Sequence, residues 1–315
     1  MRIISNNGKE SRISAVFPKD RESFRGKDAL FYAQGRVFRA LDDVPAGSVM
    51  VKVTGCEECG HKTKERPSVF VRSDRRPVDL IDTWRGKAAF LMLNGPSLAK
   101  VPFEWLKAPG IVTMGVNNGA HVSRPDLWCA VDPPVKFMNS IWDDPKITKF
   151  VPLGSLNAKT PDDTPVAGKP NLFAFPSHVQ FKSKDWLKEP TVNWGNSAER
   201  GGGRSVMLAS IKILYLLGFR RVYLLGCDFH MTGERPYFFD EQKEAPGVRG
   251  NNSSYALMEG YFERLKPYFD ASGFEVFNAT SGSALEVFPQ IRLMEALERE
   301  RIDCSGDTFG MYKKK

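Results

Sequence analysis

Residues 87–98 decide the fold, and they read K-A-A-F-L-M-L-N-G-P-S-L. The six apolar residues at 88–93 do not alternate with polar ones, which is typical of a strand covered on both faces. The run ends in Asn-Gly-Pro-Ser at 94–97, a turn in which glycine adds conformational freedom and serine can cap the next segment of the chain. Ligands of open parallel sheets bind at the carboxyl ends of strands. This turn is therefore the first candidate for a nucleotide or phosphate site, with an ordinary strand-to-loop connection as the alternative.

Later apolar runs also end in polar residues, as strands of the same sheet would. These runs and the residues that end or follow them are 111–116 with Asn117, 126–132 with Asp132, and 221–226 with Asp228 and His230. In a parallel sheet, the carboxyl ends of neighbouring strands share one edge, which is the geometry of a ligand cleft. The pattern predicts an α/β domain with its site at this edge.

A glycine-rich turn, G-G-G-R-S at 201–205, precedes an apolar helix predicted over 206–217. Such a turn exposes backbone N–H groups and the positive end of the helix dipole, which suits a phosphate. It matches neither the dinucleotide G-x-G-x-x-G nor a P-loop. After the strand at 221–226, residues 231–252 are rich in charge, glycine and proline, which indicates a loop that could act as a lid. The elements predicted beyond it are a helix at 253–271, a strand at 273–277 and a helix at 284–301.

The first 80 residues differ from the rest in pattern and charge. Short β-like runs separated by glycine, proline and charged clusters predict a small antiparallel unit. This unit holds 16 Lys and Arg against 11 Asp and Glu, so most of the net charge of +8 lies in it. A basic surface favours contact with phosphates or an anionic polymer, although a solvated basic face is the commoner case. We therefore divide the chain into a basic β-rich unit at 1–80, an α/β domain at 86–300 and a flexible tail at 301–315.

Cys56, Cys59 and His61 have the spacing of half a zinc knuckle. A closed zinc site needs four ligands, and no further Cys or His precedes Ala88, so a distant residue or a second chain would have to complete it. Incidental thiols on a hairpin are the alternative. The chain's five cysteines are odd in number and scattered, which predicts a reducing compartment. The amino terminus is polar and no apolar run is long enough to span a bilayer, so we expect a soluble cytoplasmic protein.

The motifs over residues 86–300 resemble those of the bacterial CMP-sialic-acid-dependent sialyltransferases. They are N-G-P-S-L at 94–98, Asn117 after the next strand, a glycine-rich turn with Ser205 opening a helix, V-Y-L-L-G-C-D-F-H at 222–230, and Y-F-F-D at 237–240. The same skeleton resembles the Maf-type flagellin glycosyltransferases and the MptE-like pterin pyrophosphokinases. The resemblance implies a Rossmann-like parallel sheet with helices on both faces. Residues 1–80 lie outside it.

The resemblance also implies roles for the residues that match it. Those implied to hold the nucleotide, phosphate or sugar of a donor are Asn94, Gly95, Ser97, Asn117, Gly203 and Ser205. Asp228 would lie at the end of the central strand. In the sialyltransferases, two tyrosines after that Asp stabilise the departing phosphate, and here His230 takes the first position and Tyr237 can serve as the second. A hydrogen-bond donor at this place fits the charge that develops as the glycosidic bond breaks.

One departure concerns the general base. The sialyltransferases have a histidine in the segment that matches N-N-S-S-Y at 251–255, and this chain has none. Either His230, Asp132 or another group takes the proton, or the chemistry differs.

The leading interpretation is a metal-independent glycosyltransferase that uses a nucleotide-activated sugar, with a CMP-sugar as one option. Its acceptor would be a glycan or, given the basic unit, DNA with a hydroxymethylated base, as in modified phage genomes. A first alternative is a pyrophosphokinase in which Asp132 and Asp228 hold Mg²⁺. A second is a nucleic-acid-binding module built on a degenerate enzyme scaffold.

Overall fold

The computed structural model describes residues 69–302, except 179, 198, 200, 233 and 241–244, and five strands in the amino-terminal region. The chain forms two compact units, Met1–Pro67 and Ser68–Lys315. The strands of the first unit are β1 (Arg2–Ile4), β2 (Glu10–Val16), β3 (Leu30–Ala33), β4 (Arg36–Phe38) and β5 (Met50–Val53). They form one antiparallel sheet in the order β1-β2-β5-β3-β4, which confirms the predicted β-rich unit.

The second unit contains a nine-stranded sheet. Its strands are β6 (Phe70–Arg72), β7 (Pro77–Val78), β8 (Ala88–Met92), β9 (Thr113–Val116), β10 (Leu127–Cys129), β11 (Thr148–Pro152), β12 (Leu172–Phe175), β15 (Arg221–Leu225) and β16 (Glu275–Asn278), while β13 (Ser177–His178) and β14 (Val192–Asn193) pair separately. The order is β16-β15-β8-β9-β10-β11-β12-β6-β7, parallel from β16 to β12 and antiparallel at β6 and β7. This confirms the predicted α/β class. The sequence pattern grouped residues 68–71 with the amino-terminal runs, whereas β6 belongs to this larger sheet.

Helices cover both faces of this sheet. They include α1 (Asn139–Trp142), α2 (Val206–Leu216), α3 (Ala245–Ala271) and α4 (Leu293–Glu300). All of β8 is buried, as its unbroken apolar run predicts. Phe90 and Met92 share a cluster with Leu297 of α4, whereas Ala89 and Leu91 belong to the larger cluster formed with α2 and α3. Of the helices described, none is both long and apolar enough to cross a membrane.

The order of the strands creates a switch point beside β8. From β8 the chain builds β9 to β12 on one side of the sheet and then returns to add β15 and β16 on the other side. The connections that leave β8 and β15 therefore diverge, although the two strands are hydrogen-bonded neighbours. A crevice opens outside the carboxyl ends of strands at such a point. This places the turn at 94–97 next to residues 226–228.

Two helices differ from the sequence prediction in their bounds. Helix α3 begins at Ala245, so it includes the last part of the segment predicted as a loop over 231–252. The helix predicted over 284–301 forms only from Leu293, because Pro289 and a β-bridge between Asn278 and Gln290 keep the preceding residues extended.

Candidate functional site

A cavity of about 720 Å³ opens outside the carboxyl ends of β8 and β15. The segments after β8, β9, β10 and β15, the start of α2 and one side of α3 form its walls. The predicted site residues that line it are Asn94, Gly95, Asn117, Asp132, Gly203, Ser205, Asp228, His230 and Tyr237. The fold therefore brings together residues that are up to 143 positions apart, from 94 to 237. Ser97 does not line the cavity. Cys56, Cys59 and His61 lie outside the described residues.

Asn94 and Asn117 follow two neighbouring strands and carry the most unusual polar atoms of the cavity. The side-chain Oδ1 atom of each is buried and has no hydrogen-bond partner in the described part of the chain. Asn117 has a φ of 45°, a left-handed conformation that asparagine tolerates better than most residues. Its carbonyl oxygen accepts a hydrogen bond from Trp128 Nε1 at 2.9 Å, which fixes the turn. Solvent reaches neither oxygen, and the Asn94 Oδ1 faces Gly119, where an added Cβ atom would overlap it. A ligand in the cavity would therefore contact other atoms of these two side chains.

The glycine-rich turn brings the amino end of α2 to the cavity. Gly201, Gly202 and Gly203 all have positive φ values, of 97°, 71° and 84°, which only glycine adopts without strain. A Cβ atom on Gly203 would lie 3.2 Å from the hydroxyl of Tyr261, which itself donates to the carbonyl of Gly202 at 3.2 Å. Ser205 caps the helix, since its Oγ accepts from the N–H of Met207 at 3.1 Å. The positive end of the helix dipole is thereby directed at the cavity, as phosphate binding requires.

Asp228 joins the turn after β8 to the end of β15. Its carboxylate accepts hydrogen bonds from the Ser97 hydroxyl at 2.7 Å and from the Ser97 N–H at 3.2 and 3.3 Å to its two oxygens. Gly95 passes so close that a Cβ atom there would overlap the Asp228 carboxylate and lie 2.5 Å from the carbonyl of Gly226. The hydroxyl and the N–H of Ser97 thus both donate to a protein carboxylate, whereas the motif resemblance implied that Ser97 holds the donor.

His230, Tyr237 and Asp132 stand at the open side of the cavity. His230 and Asp132 are exposed, whereas Tyr237 is half-buried and stacks on Phe239 with ring centres 5.1 Å apart. The N–H of the intervening Phe238 donates to the carbonyl of Asn94 at 3.1 Å. The segment that carries Tyr237 is therefore tied to the turn after β8.

One side of α3 lines the cavity. Asn251, Ser254, Tyr255 and Met258 have the i, i+3, i+4, i+7 spacing of one helix face. The sequence analysis named 251–255 only as the segment that lacks a histidine and began the helix at 253, so it assigned no role to these side chains. Tyr255 stacks on Phe229, with ring centres 5.0 Å apart. Burial, together with the nearby Tyr237, Cys227 and Asp228, raises the pKa of Tyr255 to about 12. The phenol therefore stays protonated at neutral pH and can donate a hydrogen bond.

Charged side chains of both signs line the cavity. Lys136 and Arg204 are exposed cations that the sequence analysis did not select, and Asp132 and Asp228 supply two carboxylates. Arg204 lies directly before the helix cap, next to the positive end of α2. Within residues 69–302 as described, there is no group of three or more His, Cys, Asp or Glu side chains arranged to hold a metal ion.

Comparison with known proteins gives two structural neighbours, both sialyltransferases. The first is the sialyltransferase CstII from Campylobacter jejuni with the substrate analogue cytidine-5'-monophosphate, which is 11% identical with a TM-score of 0.37 over 66% of this chain and 85% of that one. The second is sialyltransferase CST-II with a trisaccharide acceptor and CMP, at 12% identity and a TM-score of 0.36 over 65% and 86%. No protein-family model and no curated protein matches the sequence.

Proposed function

We propose that this chain is a glycosyltransferase that transfers a sugar from a nucleotide-activated donor of the CMP-sugar class to an acceptor hydroxyl. The observation that carries the proposal is the convergence of Asn94, Asn117 and the amino end of α2 on one cavity. Amide side chains can both donate and accept hydrogen bonds. A nucleoside offers groups of both kinds on its base and ribose, and the helix end suits its phosphate. The motif resemblance over 94–98 and 222–230 supports the CMP class.

Three of the side chains that line the cavity suit a departing phosphate. The donor's glycosidic C–O bond breaks with its electron pair on the phosphate oxygen, so negative charge grows there. Tyr237 and the protonated phenol of Tyr255 can donate hydrogen bonds to that oxygen, and Arg204 supplies positive charge. These residues come from different parts of the fold and converge only at this cavity.

The acceptor reacts at the anomeric carbon that the phosphate leaves. Its hydroxyl oxygen forms the new C–O bond, and its proton passes to a base on the protein. His230 and Asp132 are the exposed candidates for this base, because both side chains line the cavity and neither is hydrogen-bonded to another described residue. We assign the proton to His230, because an imidazole can accept a proton on one ring nitrogen and is the commonest general base of enzymes.

A thermal-shift panel tests the donor class. CMP, UMP, UDP, GDP and ATP are each added with EDTA and with Mg²⁺, since a ligand that binds only the folded state raises the melting temperature. We expect CMP to stabilise the chain in EDTA, and Asn94→Ala to abolish that shift while melting normally without ligand. Stabilisation by ATP with Mg²⁺ alone would contradict the proposal and favour pyrophosphoryl transfer.

Kinetics on the released nucleotide test the role of His230. CMP release from a CMP-sugar is followed with a glycan or with DNA that carries a hydroxymethylated base, so the same assay identifies the acceptor. We expect His230→Phe to lower kcat about 100-fold while the Kd of CMP stays within twofold. His178, which lies outside the cavity, provides the control variant His178→Phe. Full activity of His230→Phe would transfer the base role to Asp132 or another group.

A further inference from the structure

The hydrogen bonds between Ser97 and Asp228 form what we call the carboxyl-edge latch. They link residues that are 131 positions apart. Ser97 donates twice to the Asp228 carboxylate, through its hydroxyl at 2.7 Å and through its N–H at 3.2 and 3.3 Å to the two oxygens. The Ser97 N–H belongs to the first turn of a 3₁₀ helix, Pro96–Lys100. An exposed N–H at such a place would attract an anion, and here the anion is a side chain of the protein.

The surrounding backbone is shaped for this contact. Gly95 donates its N–H to the carbonyl of Gly226 at 2.9 Å and lacks the Cβ atom that would overlap the carboxylate. Gly226 has a φ of 63°, and a Cβ atom there would lie 2.8 Å from the carbonyl of Leu93. The two strand ends can therefore approach only because both positions are glycine.

Asp228 is also held from its other side. Its carbonyl accepts from the N–H of Ala284 at 2.9 Å, and the N–H of Cys227 donates to Thr280 Oγ1 at 3.0 Å. Asp228, whose side chain binds the turn after β8, is thus also held by hydrogen bonds between its own backbone segment and the turn after β16. The backbone at Asp228 is therefore fixed on one side, and its carboxylate is fixed by Ser97 on the other.

We infer that Asp228 is a positioning residue, which holds the turn at 94–97 in the shape that presents Asn94 to the donor nucleotide. This inference rests on the proposed function. It gives Asp228 a role in holding the turn, and it differs from the motif resemblance, which implied that Ser97 holds the donor. The phosphate is then taken by the amino end of α2, with Arg204 and Ser205.

A second pair of residues provides a matched control. Asp126 accepts hydrogen bonds from the hydroxyl and the N–H of Thr113, both at 2.8 Å, so the same groups make the same contacts. Thr113 begins β9 and Asp126 precedes β10, so this amino-edge latch lies at the opposite edge of the sheet. Its residues do not line the cavity.

The experiment is a double-mutant cycle on CMP affinity, measured by calorimetry on the full chain. We expect Ser97→Ala and Asp228→Asn each to raise the Kd about tenfold, and the double variant to be no weaker than the weaker single one, because both changes remove one interaction. Thr113→Val, Asp126→Asn and their combination should lower the urea midpoint while the Kd stays within twofold.

The outcomes separate this inference from the proposed function. A wild-type chain that binds no nucleotide overturns both. If the wild type binds and Asp228→Asn binds equally well but loses turnover and the acid limb of its pH profile, Asp228 is a base and the inference is wrong. If Ser97→Ala weakens binding and Asp228→Asn does not, Ser97 contacts the donor directly and the inference is again wrong.

Discussion

Polar side chains have different roles at the two edges of the nine-stranded sheet. At the amino edge, polar groups pair with each other: Thr113 with Asp126, and Arg221 with Glu300. At the carboxyl edge, one such pair exists between Ser97 and Asp228, but the neighbouring amide side chains of Asn94 and Asn117 line the cavity. Paired groups stabilise the fold, whereas polar groups that face a cavity are available to a ligand. The comparison predicts that amino-edge changes affect stability alone and carboxyl-edge changes affect binding.

The largest effect should follow Gly95→Ala at the carboxyl edge. The φ of Gly95 is −67°, which alanine adopts without strain, so the effect comes from space alone. The new Cβ atom would overlap the Asp228 carboxylate and force the turn at 94–97 away from β15. We expect CMP affinity to fall about 100-fold or more, as measured by calorimetry.

Gly154→Ala is the matched control for this variant. A Cβ atom at Gly154 meets nothing within 4 Å, and the residue does not line the cavity. Its CMP affinity and melting temperature should match those of the wild type. If Gly95→Ala binds CMP as tightly as Gly154→Ala does, CMP binding does not depend on the position of the turn at 94–97. The carboxyl edge would then not be the binding edge that we propose.

The features that the sequence predicted are local ones. The run at 88–93 is typical of a strand buried on both faces, which put the polar residues after it at the carboxyl end of that strand, and β8 is such a strand. The same argument placed Asn117, Asp132 and Asp228 at one edge of a parallel sheet, and the structure brings them to one cavity. Their individual roles remain predictions.

The features that the sequence did not predict depend on tertiary contacts. Residues 245–252 contain Pro246, Gly247 and Gly250, which have low helix propensity, yet they form the first turns of α3. The sequence analysis began this helix at 253, so Asn251 was not recognised as part of the helix face that carries Tyr255. The pairing of Ser97 with Asp228 could not be derived from spacing either, because 131 residues separate them.

A smaller effect, and on stability alone, should follow Glu300→Gln at the amino edge. The side chain of Glu300 is 6% exposed and accepts two hydrogen bonds from Arg221, at 2.6 and 2.8 Å, and one from Tyr223 at 2.7 Å. We expect a loss of about 2 kcal/mol of unfolding free energy, typical of hydrogen bonds to a buried charge. Urea unfolding measures this loss, and the CMP affinity should stay unchanged.

The pH dependence of this loss gives a further check on Glu300. Burial raises the pKa of the carboxyl, but the hydrogen bonds from Arg221 and Tyr223 outweigh burial and lower it below 4.5. The stabilisation is therefore present above about pH 4.5 and disappears as the pH falls through the lower folded-state value. The exposed Glu298 supplies the control variant Glu298→Gln, which should unfold like the wild type. Weaker CMP binding by Glu300→Gln would show that the two edges are coupled.

The last effect concerns Lys212, which lies in α2 between the two edges, and it is an effect on the pH dependence of stability. Its side chain is fully buried, and its Nζ donates to the carbonyl of Trp186. Burial lowers its pKa to about 7, against a weaker opposing effect of Glu189. Between about pH 7 and pH 10 the unfolded chain thus keeps a proton that the folded chain has lost, so this residue makes stability rise with pH by at most ~1.4 kcal/mol per pH unit. We expect Lys212→Met to remove this slope from urea unfolding curves, whereas Lys188→Met, at an exposed position, should retain it.

Parallel pH profiles for Lys212→Met and the wild type would mean that Lys212 does not titrate in this range. If Lys212→Met instead changes CMP affinity, then α2 transmits interior changes to its amino end, and the division between stabilising and binding groups does not hold along that helix.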